Sequence, residues 1–159
     1  MAGFPLTATV SLAVRVTDGP LTLRTSMKST DTPLAGKLVL LVEDQTLIAL
    51  DTEGLLRELG AEKVETFTNA EATLAWLTAN APDVAVLDIN LGESSSFSIA
   101  EELVQRARPF VFTTGYSDGF EALDAYKDVP IARKPYTRDA LAAALATCLK
   151  AEGARHQAG

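Results

Sequence analysis

Four short apolar runs in this chain are each followed by polar side chains that are able to take part in chemistry. The first run ends at Glu43-Asp44, and later runs end at Asp88, Thr114 and Lys134. Taken singly, each has an ordinary structural role: an acidic residue caps a helix, a threonine ends a strand, and a lysine-proline pair forms a surface turn. Any joint chemistry therefore depends on whether the fold brings these side chains together.

When the three carboxylates share one crevice, they repel one another. At about 4 Å and an effective dielectric constant near 20, each pair costs roughly 4 kcal/mol. Such a cluster persists only if a cation neutralises it or if the carboxyl pKa values rise. Oxygen ligands without histidine or thiolate favour a hard ion, and Mg²⁺ is the simplest choice.

Lys134 and Thr114 extend this chemistry towards phosphorus. An ammonium, a hydroxyl donor and a metal together suit a phosphoryl group carried on or near a carboxylate. Asp88 is of the residue type that attacks phosphorus and forms an aspartyl phosphate. The single histidine, His156, lies in a polar tail, which argues against a histidine metal site or a Ser/His/Asp triad.

An alternation of strand and helix patterns begins at residue 37 and predicts how these side chains are positioned. Continuous apolar runs are typical of central parallel strands covered on both faces. Alternating polarity, or a proline that cannot donate to a ladder, suits an edge strand. The central strands are expected at 38–42, 83–87 and 109–113, and the edge strands at 63–67 and 129–132. The helices are expected at 45–59, 69–79, 97–107 and 137–149, with a short, weak one after Gly115.

Five strands alternating with five helices predict an α/β fold with a parallel sheet and helices on both faces. Because the first, third and fourth strands are the most apolar, we expect the order 2-1-3-4-5 of flavodoxin-like, doubly wound (βα)5 folds. Ligands of such folds bind at the carboxyl ends of the strands, at the switch point between strands 1 and 3. The topology therefore predicts that the five side chains meet there: Glu43, Asp44, Asp88, Thr114 and Lys134.

Composition limits the classes of function. With 47% hydrophobic and 22% charged residues, the chain resembles an ordinary soluble globular protein. The formal charge of −7 and the absence of a basic run argue against nucleic-acid binding. One cysteine, Cys148, excludes an internal disulfide framework and suits a reducing compartment. Because no apolar run reaches about 18 residues and no signal peptide is evident, we expect a cytoplasmic protein without a membrane partner.

The first 35 residues differ in composition from the rest of the chain. Residues 10–16 alternate as a strand does, and a turn and a short return strand come next, so they predict a hairpin. The alternative is that Met27 is the natural start. The expected organisation is an N-terminal arm that ends in a linker over 1–35, a globular domain over 36–150, and a disordered tail over 151–159.

Four motifs stand at the predicted strand ends. They are Leu-Leu-Val-Glu-Asp at 40–44, Leu-Asp-Ile-Asn-Leu at 87–91, Thr-Thr-Gly-Tyr at 113–116 and Arg-Lys-Pro-Tyr at 133–136. With this combined spacing, residues 37–150 resemble the receiver domain of two-component response regulators.

The resemblance implies a role for each residue of the cluster. Asp88 would be the phosphoacceptor, Thr114 would bind a phosphoryl oxygen, and Lys134 would pair with the phosphoryl group. The donor would be a phosphohistidine on a sensor histidine kinase or a histidine phosphotransfer protein. The Mg²⁺ ligands would be Glu43, Asp44, Asp88 and the backbone carbonyl of Asn90.

One feature resembles a subgroup of that family, and another departs from its common pattern. The segment 110–116 is similar to a subgroup of stand-alone receivers whose fourth strand ends Phe-Ala-Thr-Gly-Tyr, with Thr113 here in place of alanine. Ile131 stands where many receivers have an aromatic residue whose rotamer reports phosphorylation, so we expect a different reporting mechanism. In this family, the positions of Asn90 and Tyr116 tend to tune water access to the phosphoryl group. We predict that these two side chains largely set its lifetime.

The function expected from this resemblance is that of a single-domain response regulator. It would catalyse only its own phosphorylation and dephosphorylation, and would signal through phosphorylation-dependent binding of an unknown downstream protein or act as a phosphate sink. Because residues 150–159 are too few for an output domain, direct DNA binding is not expected. One alternative is a receiver fragment of a hybrid histidine kinase.

Two other classes of protein fit less well. An aspartate-nucleophile phosphatase usually has a second aspartate two residues after the first, and here that residue is Asn90. A flavin-binding protein of the same fold would place a phosphate at the first loop, where Glu43-Asp44 would repel it.

Overall fold

The computed structural model describes residues 32–115 and 120–158, so the predicted N-terminal hairpin and Tyr116 lie outside the described residues. A 3-10 helix spans Phe120–Tyr126. The strands of the main sheet are β1 (Leu38–Val42), β2 (Lys63–Phe67), β3 (Val84–Asp88), β4 (Phe110–Thr114) and β5 (Ile131–Arg133). The α-helices are α1 (Thr46–Glu58), α2 (Ala70–Leu77), α3 (Phe97–Gln105) and α4 (Arg138–Gln157).

The five strands form one parallel sheet in the order β2-β1-β3-β4-β5, which confirms the predicted flavodoxin-like topology. Asp88 lies opposite Thr113, and Thr114 lies opposite Arg133. All five carboxyl ends therefore lie along one edge of the sheet. Pro130 precedes the edge strand β5, where its carbonyl oxygen still accepts a hydrogen bond from the N–H of Phe112.

The apolar core consists of two clusters, one on each face of the sheet. Successive strand residues point to opposite faces, so each buried strand contributes to both clusters. On one face, strand residues pack against α2 and α3: Leu40, Leu87 and Phe112 with Leu77, Ile99 and Leu103. On the other face they pack against α1 and α4: Leu41, Val86 and Val111 with Leu56, Leu141 and Leu145. Each such side chain contributes about 1.5–3 kcal/mol when fully buried.

Helix α4 extends beyond its predicted end. It is a 20-residue helix that continues to Gln157. The prediction of a disordered tail from residue 151 is therefore wrong for residues 151–157. That prediction relied on the end of the apolar stripe, whereas strong helix formers continue past it and outweigh Gly153. None of the helices in the described part of the chain is long and apolar enough to span a membrane.

The globular domain begins before the predicted boundary at residue 36. Leu34 is fully buried and packs in the cluster that includes α1. Its N–H donates to the carbonyl oxygen of Leu59 over 3.0 Å, and Ala35 forms a single antiparallel bridge with Ala61. The threonine and proline content of the segment before β1 predicts a linker, but it gives no indication that Leu34 anchors this segment to the core.

Two connections also differ from the predicted pattern. After β3, Asn90–Leu91 pairs antiparallel with Ser94–Ser95 to form a short hairpin, which was not predicted. Gly92 in its turn has a φ of +76°, a conformation that favours glycine. The weak helix predicted after β4 is the 3-10 helix, so four of the five predicted helices are α-helices.

Candidate functional site

Three carboxylates meet at the carboxyl edge of the sheet. Asp88 is the last residue of β3, and Glu43 and Asp44 directly follow the neighbouring strand β1. Carboxylate oxygens of all three lie within 4.8 Å of one another. Glu43 is 2% exposed and Asp88 3% exposed, whereas Asp44 is half-buried. Asp44 is therefore the carboxylate most accessible from solvent.

Lys134 places its ammonium between two of these carboxylates. Its Nζ lies 2.6 Å from Oε2 of Glu43 and 2.8 Å from Oδ2 of Asp88. The lysine directly follows β5, and its backbone N–H donates to the carbonyl oxygen of Thr114 over 2.8 Å. This hydrogen bond extends the β4–β5 ladder by one residue, to the residue whose side chain reaches the carboxylates.

Two groups of this cluster, Glu43 and Lys134, have raised pKa values. Burial raises the pKa of Glu43 to about 7, and the charge of Asp88 adds to the effect, while hydrogen bonds from Lys134 and the Gln45 N–H oppose it. Burial alone would lower the pKa of Lys134, but its hydrogen bonds with Asp88 and Glu43 outweigh burial and raise it. Both shifts favour the protonated forms of Glu43 and Lys134.

Thr114 and Asn90 lie beside this cluster. Thr114 ends β4 and is 1% exposed, and its hydroxyl donates to the carbonyl oxygen of Gly115 over 3.0 Å. The exposed Asn90 donates its backbone N–H to Oδ1 of Asp88 over 3.3 Å. Its side-chain oxygen accepts from the N–H of Gly92 within the turn of the hairpin.

Sequence reasoning missed a hydroxyl pair next to the cluster. The hydroxyl oxygens of Thr52 and Tyr136 are 2.6 Å apart and share a hydrogen bond in which either is able to donate. Burial raises the pKa of Tyr136, so its hydroxyl remains protonated. A threonine in the apolar stripe of α1 was the available signal, but it does not show which residue is its partner.

The residues present fit a hard divalent cation. The atoms that the three carboxylates offer to a metal ion are all oxygens. The net charge of the three carboxylates and the Lys134 ammonium together is negative. A Cβ at Gly92 would lie 3.5 Å from Oδ2 of Asp44, so the glycine leaves that side of the carboxylate open. Within residues 32–115 and 120–158, no other three histidine, cysteine or acidic side chains come this close together.

Comparisons with known proteins agree with this geometry. The sequence profile of the response regulator receiver domain matches residues 39–146. The structure is similar to that of SdrG from Sphingomonas melonis Fr1, with 38% identity and a TM-score of 0.64 over 73% of this chain and 97% of SdrG. It is also similar to the response regulator PhyR from Brucella abortus, with 25% identity and a TM-score of 0.68 over 84% of this chain and 56% of PhyR.

A third similar structure is the N-terminal domain of a response regulator/sensory box/GGDEF 3-domain protein from Carboxydothermus hydrogenoformans. It has 25% identity and a TM-score of 0.67 over 75% of this chain and 98% of that domain. A search of curated proteins found no match. The profile covers the site from Glu43 to Lys134, and the sheet order is that of the family's fold. The chain therefore belongs to the response regulator receiver domain family, whose members signal through phosphorylation in two-component systems.

Proposed function

We propose that this chain is a single-domain response regulator that accepts a phosphoryl group on Asp88. One observation carries the proposal: the Lys134 ammonium contacts Asp88 and Glu43 directly, beside the half-buried Asp44. A lysine in this place offers a phosphoryl oxygen a positive charge next to the carboxylate that would receive the group. The chain would act only on its own phosphorylation state, because Asn90 offers no acid or base for turnover of an external substrate.

The proposed transfer is a displacement at phosphorus. A carboxylate oxygen of Asp88 forms a bond to the phosphorus of a phosphohistidine, and the phosphorus–nitrogen bond of the donor breaks. The imidazole nitrogen leaves with the electron pair and takes up a proton. Lys134 shifts its ion pair from Asp88 to a phosphoryl oxygen, and the Thr114 hydroxyl donates to another.

The acidic residues of the cluster are proposed as a Mg²⁺ site. When bound, Mg²⁺ supplies the positive charge that allows an anionic phosphoryl group to approach these carboxylates. The low exposure of Glu43 and Asp88 keeps most solvent away from the acceptor. The proposed ligands are Glu43, Asp44, Asp88 and the backbone carbonyl of Asn90.

The donor is proposed to dock on the start of α1. This helix begins at Thr46, two residues after Asp44, and it exposes Leu47 by 79% and Leu50 by 59%. A phosphohistidine that reaches Asp88 brings its own protein surface over this part of the chain, where the two leucines offer apolar contact. The expected donors are a sensor histidine kinase or a histidine phosphotransfer protein. After transfer, the chain would bind a downstream protein or serve as a phosphate sink.

Beryllofluoride, a mimic of the phosphoryl group, tests this proposal. Added with Mg²⁺, it is expected to change amide NMR resonances around residues 88, 114 and 134 of the wild-type chain. Asp88→Asn removes the oxygen that would bind beryllium, so it should not respond. Asp51→Asn, an exposed substitution on α1, is the matched control and should respond as wild type does. A silent wild type, or a responding Asp88→Asn variant, would contradict the proposal.

A further inference from the structure

The hydroxyl pair of Thr52 and Tyr136 joins the two sides of the crevice. Thr52 is 1% exposed and lies on the inner face of α1, the helix that directly follows Glu43 and Asp44. Tyr136 is half-buried, packs against the cluster that includes α1 and α4, and stands two residues after Lys134. Their 2.6 Å contact spans 84 residues of sequence.

The segment that carries Lys134 has little other sheet support. Strand β5 has three residues and, within the part of the chain that the structure describes, it is an edge strand that pairs with β4 alone. Lysine has a long, flexible side chain, so its ammonium has many accessible positions. The position of its backbone limits which of them lie beside the carboxylates. The hydrogen bond between Thr52 and Tyr136 is a directional contact two residues after Lys134. It connects this segment to α1, the helix that follows Glu43 and Asp44.

We propose that the hydrogen bond between Thr52 and Tyr136 positions Lys134 for phosphoryl transfer. This inference rests on the proposed function. The bond keeps the backbone of residues 134–136 at a fixed separation from α1, so the ammonium stays on the Asp88 side of the crevice when its ion pair shifts to a phosphoryl oxygen. Thr52 and Tyr136 are thus positioning residues and do not contact the reacting atoms.

Two near-isosteric substitutions test this role. Tyr136→Phe and Thr52→Val each remove one hydroxyl while the packed volume is retained. Acetyl phosphate serves as donor: Asp88 forms a bond to phosphorus, the bond from phosphorus to the acetate oxygen breaks, and acetate leaves with the electron pair. At saturating Mg²⁺ we expect each variant to be phosphorylated about 3- to 10-fold more slowly, well inside the range that misplacement of a reacting group produces.

The double variant and the Mg²⁺ affinity separate positioning from general destabilisation. If the hydroxyls act as one unit, the double variant is no slower than either single variant. The Mg²⁺ dissociation constant should stay within about twofold of wild type, because the acidic residues are unchanged. Thr73→Val is the matched control: Thr73 is fully buried on α2, and its hydroxyl donates to the Asn69 carbonyl over 2.7 Å. Loss of the Thr73 hydroxyl should leave the phosphorylation rate unchanged.

The possible outcomes are distinguishable. Wild-type phosphorylation with unchanged rates in Tyr136→Phe and Thr52→Val would overturn the positioning role alone. The positioning role is also overturned if the rate reductions of the two single variants multiply in the double variant, because the hydroxyls then act separately. If Thr73→Val slows phosphorylation as much as Tyr136→Phe and Thr52→Val do, lost stability explains the slowing, and the positioning role is overturned. If the wild-type chain gains no phosphoryl group, the proposed function and this inference both fail.

Discussion

At the scale of single residues, the site is a balance between three acidic groups and one ammonium. The acidic residues and Lys134 were predictable from sequence because each stands at the end of an apolar strand, and parallel strands end at one edge. The Thr52–Tyr136 contact was not predictable, because it depends on how α1 packs against the loop after β5. Periodicity assigns a residue to a face of its helix but does not identify its partner.

Asp44 is expected to destabilise the metal-free protein and to be required for Mg²⁺ binding. Asp44→Asn should raise the free energy of unfolding without metal by about 1 kcal/mol, roughly the repulsion of two unit charges 4 Å apart in water. The value for water applies here because Asp44 is more exposed than Glu43 and Asp88, so solvent screens its charge. Mg²⁺ at ten times its dissociation constant should stabilise wild type by about 1.4 kcal/mol and the variant by far less. Urea titrations with and without Mg²⁺ measure both effects. Equal stabilisation of both proteins by Mg²⁺ would exclude Asp44 as a ligand.

Ala107, which follows α3, has a φ of 53°, in the left-handed region that favours glycine. Ala107→Gly should therefore raise the free energy of unfolding by about 0.5–1 kcal/mol. Ala143→Gly, the same substitution on the exposed side of α4, should lower it by about 1 kcal/mol. Chemical denaturation of the two variants checks these opposite signs. A loss of stability in Ala107→Gly would show that this backbone conformation is not strained.

At the scale of elements, most of the features that the sequence does not predict lie in α1, in α4 and in the segment before β1. The apolar residues of α1 at helical spacing indicate its core-facing side, where Thr52 and Leu56 are buried, but they give no role to its exposed leucines. The apolar stripe of α4 ends at Leu149 and predicts too early an end, because the helix continues to Gln157 without the stripe. An amphipathic pattern thus indicates where a helix packs, and it is a weaker guide to where the helix ends.

The segment before β1 is expected to be part of the fold. Leu34→Ala should lower the free energy of unfolding by about 2–5 kcal/mol, because the leucine is fully buried. The control is Leu47→Ala, a leucine that is 79% exposed and should change stability by less than about 0.5 kcal/mol. Urea denaturation compares the two. If Leu34→Ala and Leu47→Ala have equal free energies of unfolding, Leu34 does not belong to the core in solution.

The exposed leucines of α1 are expected to matter for protein donors only. Replacing Leu47 and Leu50 together by serine should slow transfer from a phosphorylated histidine phosphotransfer protein by about tenfold or more, as loss of an interface anchor does. The acetyl phosphate rate should be unchanged. Val104→Ser is the matched control, since Val104 is 58% exposed on α3. The docking surface is wrong if both kinds of donor are slowed equally, or if Val104→Ser has the same effect.

At the scale of the whole molecule, strand hydropathy was enough to predict the sheet. Three strands with continuous apolar sequences are central, and the alternating and proline-flanked strands are at the edges. This order alone brings residues from four strands to one crevice. The hairpin after β3 was not predictable in the same way, because its two-residue strands are too short to show a period.

The central claim is that Asp88 receives the phosphoryl group. The most direct measurement is incubation with acetyl phosphate and Mg²⁺, reduction of the acyl phosphate with borohydride, and peptide mass spectrometry of the product. We predict that the reduced residue is Asp88, that its formation requires Mg²⁺, and that Asp88→Asn yields none. Modification at Glu43 or Asp44 instead, or an unmodified wild-type chain, would contradict the claim.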